Sequence, residues 1–138
     1  MNILNFNDLL VAARQQPQPQ LLLFVFAQAE LPEDASAEQR RRFTAGQGGA
    51  LTPVLCVDKR PEELSDFAAL AAESQKTGQH WDLLFVSSLS GHGGIVPTSD
   101  QAEQPLQMMV QAINSGNIAS LLALDSHGES LSLMQGGR

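Results

Sequence analysis

The sequence predicts a single three-layer α/β domain over residues 1–138, with a mostly parallel five-stranded sheet, a C-terminal antiparallel hairpin strand and the order α-β-α-β-α-β-α-β-β. Three observations predict it. Dense apolar runs recur at LLLFVFA (21–27), PVLCV (53–57) and LLFV (83–86), the pattern of strands covered on both faces. Segments with helical spacing alternate with these runs, and strand–helix–strand units imply right-handed crossovers between parallel strands. The last apolar segment alternates instead, Leu131 and Leu133 with Ser130 and Ser132, so one of its faces is wet.

Each element has a local cause. Phe6, Leu9, Leu10 and Ala13 fall on one helical face, Asn5 or Asn7 can cap that helix, and the QQPQPQ stretch ends it. After the first strand, Leu31-Pro32-Glu33-Asp34 turns the chain. Asp34 or Ser36 then caps a polar helix that reaches about Ala45 and closes at Gly46. Pro53 suits the first position of the second strand. Pro61 suits a first helical turn, and Leu64, Phe67, Ala68 and Ala71 form the apolar stripe of a helix ending near Gly78. The third strand is read over 82–89. A helix follows from near Pro105 to Ser115, with Leu106, Met109, Val110 and Ile113 on its inner face. Ile118 to Leu124 reads as the fourth strand, Ser126-His127-Gly128 as a tight turn, and Ser130 to Met134 as an edge strand.

Composition narrows the function classes. Hydrophobic residues make up 43% and charged residues 17%, which is ordinary globular composition. Fifteen acids against eight Lys and Arg give a net charge of −7. An acidic surface repels phosphate backbones and anionic membranes, so neither nucleic acid nor membrane is expected as a partner. The seven-residue run at 21–27 is too short to span a bilayer, and Met1 to Leu10 has no basic residue ahead of an apolar stretch. A cytoplasmic protein is the expectation. One cysteine gives no internal disulfide and no Cys-based zinc cluster.

Motifs for chemistry are sparse. SLSGHGG (88–94) follows a strand, where glycines can present N–H groups to an anion. Val96 breaks a G-x-G-x-x-G pattern, G-K-[ST] is absent, and Ser88 stands where G-x-S-x-G needs glycine. GQGG (46–49) follows a helix and reads as a cap and turn. His80, His92 and His127 have no partner at ligand spacing, so no metal or cofactor is expected. Serines, His92, Asp58 and Asp125 have no spacing that orders a catalytic triad, and no catalytic residue is assigned. Asp58 and Lys59 read as a solvated pair, Arg40 to Arg42 as a solvated helix surface, and Cys56, within VLCV, as a buried core thiol. Strand carboxyl ends gather ligands in open parallel sheets. If a ligand binds, its site is expected at Ser88, Ser90, Gly91, His92 and Gly93, with Asp58 from the neighbouring strand end.

The segments FVFAQAELPEDAS (24–36), GGALTPVLCVDK (48–59) and WDLLFVSSLSG (81–91) resemble a family of small bacterial proteins that carry the label "ribonucleotide reductase subunit alpha". The resemblance covers about residues 20 to 125 and brings no catalytic residues with it. What it implies is a role near nucleotide metabolism. Reductase chemistry needs a thiyl radical and a reducing cysteine pair, whereas this chain has only Cys56, so that role would be accessory.

Together these readings favour a non-catalytic cytoplasmic binding or protein-interaction module, with a homo-oligomer or another protein as partner. The alternatives are a small-molecule or anion binder, or a modest enzyme, using the loop at 88–94, and an accessory factor in nucleotide metabolism.

Overall fold

A computed structural model describes residues 3–30, 37, 50–118 and 121–131. Helix α1 spans Phe6–Arg14, and strands β1 and β2 span Gln20–Glu30 and Ala50–Lys59. A short 3-10 turn at Pro61–Glu63 leads to α2, Phe67–Gln75. Strand β3 spans Leu83–Ser90, α3 Ser99–Ser115, β4 Leu122–Leu124 and β5 Ser130–Leu131. Of the helix expected over 34–45 only residue 37 is described, and it is helical; the GQGG turn, the Arg40–Arg42 run and the end of the last strand at 132–134 lie outside the described residues.

The sheet order is β2-β1-β3-β4-β5, and every neighbouring pair is antiparallel. This corrects the mostly parallel sheet and the alternating α-β order that the apolar runs suggested. The physical reason lies in β1. Leu21 through Ala27 are each at most 3% exposed. Leu22, Phe24 and Phe26 pack with Phe6, Leu9 and Leu10 of α1 and with Leu70 of α2. Leu21, Leu23, Val25 and Ala27 pack with Ala102, Met109 and Ile113 of α3. A strand with helices on both faces is apolar throughout whatever the direction of its neighbours, so the run reports two covered faces and not parallel pairing.

The crossovers explain the rest. Strands β2 and β3 both run antiparallel to β1, so they are parallel to each other, but β1 lies between them. The connection through α2 therefore skips a strand. Helix α3 packs over β1 and β2, yet the chain then enters β4 antiparallel beside β3.

Other boundaries also moved. Pro53 sits inside β2, not at its start. The register jumps there, with Phe26 opposite Leu55 and Ala27 opposite Pro53, which leaves Val54 as an extra residue. An edge strand with a bulge tolerates a residue that cannot donate. Asp66 caps α2 by accepting from Ala69 N, so the helix read from Pro61 divides into a 3-10 turn and a later α-helix. Helix α3 begins at Ser99, ahead of Pro105, because Thr98 and Gln101 form a reciprocal capping box.

At the far edge, Gly128 adopts φ +80 and closes against the Phe67 ring, where an added Cβ would lie 2.8 Å from Cγ. Phe6 N donates to Gly128 O, and Ser130 N donates to Leu4 O. The N-terminal segment thus lies along β5.

Candidate functional site

The glycine-rich segment is built as a hairpin. His92 N donates to Ile95 O, and Ile95 N donates to His92 O. Gly93 and Gly94, with φ +60 and +79, form the two-residue turn between them. Positive φ at both central residues is the type I′ geometry that matches strand twist, and glycine adopts it without a Cβ penalty. Gly91 has a different role. It is buried, its N–H donates to Pro19 O at 2.8 Å, and a Cβ would lie 2.1 Å from Ile95 O. The close backbone approach that glycine permits here is taken by the chain's own carbonyls. Gly94 N donates to Gln18 Oε1 at 2.8 Å. The N–H groups of Gly91, His92, Gly94 and Ile95 are therefore all engaged within the protein.

The candidate residues divide between the two faces of the sheet. Ser88 lies opposite Leu22 and Ser90 opposite Gln20, on the side that carries α1. Asp58 lies opposite Leu23, on the side that carries α3. Ser99 Oγ donates to Asp58 Oδ2 at 2.6 Å, so this carboxylate sits at the N-terminus of α3, where the helix dipole favours negative charge. The structure thus brings Ser88, Ser90 and Gly91 to one end of β3. It sets His92 and Gly93 in the exposed hairpin beyond, and it does not bring Asp58 to them.

Two concave features flank the sheet. The first is a cleft of about 370 Å³ between α1 and the β1–β3 surface, with Leu9, Leu22, Val86 and Leu122 among its apolar walls and Gln20 and Ser88 among its polar ones. The second is a groove of about 380 Å³ between β2 and α3, lined by Cys56, Leu106, Val110, Glu103, Gln107 and Gln111. Sequence reading missed both. The helical spacing of Leu106 and Val110 was visible, but not that they pack only partly buried at the side of the core and line a groove with Cys56 of β2.

Cys56 is not the buried thiol that VLCV suggested. It is exposed. Its neighbour across the sheet, Val25, is fully buried, with strands flanking β1 on both sides, whereas among the described residues β2 pairs with β1 on one side only. The protein packed against the sulfur still pushes the thiol pKa up, so Cys56 is accessible but not activated.

Among the described residues, no three or more His, Cys, Asp or Glu side chains converge as a metal site. His80 pairs with Asp82 at 3.0 Å, exposed to solvent. No helix among these residues is long and apolar enough to cross a membrane. The chain matches no family model, no curated protein and no solved structure.

Proposed function

We propose that this protein is a non-catalytic cytoplasmic binding module that takes an extended segment of a partner protein along β2. The observation that carries this reading is the pairing of a ten-residue strand, at the sheet edge among the described residues, with an apolar groove beside it. Edge strands offer unpaired N–H and C=O groups to an added strand, and a groove next to the edge selects alternate side chains. Pro53 removes one donor near the start of β2, so pairing belongs to the stretch from Val54 to Lys59, level with Cys56. Leu106 and Val110 form the apolar wall, and Glu103, Gln107 and Gln111 supply the polar one. The partner segment should therefore alternate apolar residues and carry a basic residue for Glu103. The opposite edge is a poorer dock, because Leu4 and Asn5 already lie against β5. A second copy of the chain and a protein of nucleotide metabolism are both partners that could supply such a segment.

Selection from a random peptide display library tests the reading. Enriched peptides should show apolar residues at every second position, slow the alkylation of Cys56 by iodoacetamide, and lose binding to the Val110→Glu variant. Enriched peptides that leave the alkylation rate unchanged would place binding elsewhere and remove the proposal.

A further inference from the structure

The backbone of β2 fixes which of its residues can pair outward. Gly91 N donates to Pro19 O, and Asp82 N donates to Ala27 O. The odd-numbered residues of β1 therefore turn their backbone groups toward β3, because the N–H and C=O of one residue point to the same side of an antiparallel strand. The even-numbered residues Leu22, Phe24 and Phe26 turn theirs toward β2, where they lie opposite Lys59, Val57 and Leu55. Cys56 and Asp58 alternate with those three. Their N–H and C=O groups point to the outer side of β2, where no described strand pairs.

The same two residues turn their side chains to the α3 face of the sheet. Cys56 lies opposite Val25 and Asp58 opposite Leu23, and both partners pack in the cluster beneath α3. Directly opposite residues share a face, and side chains two positions apart do too. An added strand would therefore aim the side chain opposite Cys56 into the groove lined by Leu106 and Val110, and the side chain two positions along would lie beside Asp58.

That end of the groove is acidic. Ser99 Oγ donates to the Asp58 carboxylate at the start of α3, and this bond leaves the carboxylate its charge. Glu103 stands one turn further along the helix and lines the groove. Helix α3 contains no Lys or Arg. Lys59 is opposite Leu22, on the other face, and pairs with Glu73. A second copy of the chain would bring a further net charge of −7, so a separate, locally basic segment is the better occupant.

We infer, on the reading that β2 docks a partner strand, that the docked segment carries a Lys or Arg two positions from an apolar residue. The apolar side chain, opposite Cys56, fills the groove, and the cation sits beside Asp58 and Glu103.

Three capped peptides titrated into the full chain test this: Thr-Lys-Thr-Leu-Thr-Lys-Thr, Thr-Thr-Lys-Leu-Lys-Thr-Thr and Thr-Glu-Thr-Leu-Thr-Glu-Thr. The first is symmetric about its leucine, so one lysine reaches Asp58 whichever way the peptide runs. The second has the same composition and charge, but its lysines fall on the opposite face. Binding is read from amide chemical shifts. The first peptide should shift the Cys56 and Asp58 amides and bind about threefold more tightly than the second, the size of one exposed ion pair. The third should bind most weakly. Glu103→Lys should narrow the gap between the first and third peptides. Asp58→Asn, which keeps an oxygen for Ser99 Oγ and loses the charge, should reduce the advantage of the first over the second. Equal binding of the first two peptides at β2, or a gap that Glu103→Lys leaves unchanged, would overturn the inference and leave docking at β2 standing. Failure of all three to shift the Cys56 and Asp58 amides would overturn the docking reading with it.

Discussion

Single residues decide how the glycine hairpin is built, and its glycines are not equivalent. A Cβ on Gly91 would meet the backbone of Ile95 and Pro19, which can move only if the hairpin opens. A Cβ on Gly93 meets nothing within 4 Å, and only its positive φ resists substitution. Gly91→Ala should therefore cost on the order of 3 kcal/mol by overpacking. Gly93→Ala should cost about 1 kcal/mol from left-handed backbone strain. Urea unfolding of both variants measures the difference, and the reverse order would contradict the assigned roles. The glycines were legible in the sequence, but their use was not. Two adjacent glycines between short extended segments signal a two-residue hairpin as readily as an anion loop, and the choice depends on which carbonyls sit nearby. Cys56 teaches the same point. VLCV reads as core in any strand, and only the position of β2 at the sheet margin makes its side chain accessible.

Elements were legible where periodicity and caps agreed. All four stripe residues of α1 are buried, and Asn5 caps the helix by accepting from Asp8 N. Helix α3 was read nearly two turns too late because Pro105 resembles a start signal. The sequence Thr98-Ser99-Asp100-Gln101 carried the true start as a capping box, whose two reciprocal bonds satisfy backbone donors before the helix ladder begins. The inner face of α3 tests the assignment. Met109 is 5% exposed and packs with Phe85 and Val25, whereas its neighbour Met108 is 62% exposed. Met109→Ala should cost about 2–5 kcal/mol. Met108→Ala should stay within about 0.5 kcal/mol of the parent. Equal denaturant midpoints for the two variants would contradict the packing of this helix on the sheet.

The whole molecule was the least legible scale, because topology is not written in any one segment. Layering follows from hydrophobic area: β1 needs a cover on each face, and α1, α2 and α3 supply it. Direction depends instead on where each connection returns, and a helix between two strands does not make them neighbours when a third strand already lies between them. Among the described residues the same topology leaves β2 at the margin, with β1 on one side and the α3 groove above it. The proposed function rests on that margin, and amide hydrogen exchange in the free protein tests it most directly. Amides of Leu21 to Ala27 should exchange slowly throughout, since β1 pairs with β2 on one side and β3 on the other. Amides from Val54 to Lys59 should alternate, slow where they donate to β1 and fast where they point to the open edge. Uniformly slow exchange along β2 would show that its outer edge is already paired, and would contradict both the open margin and the binding mode built on it.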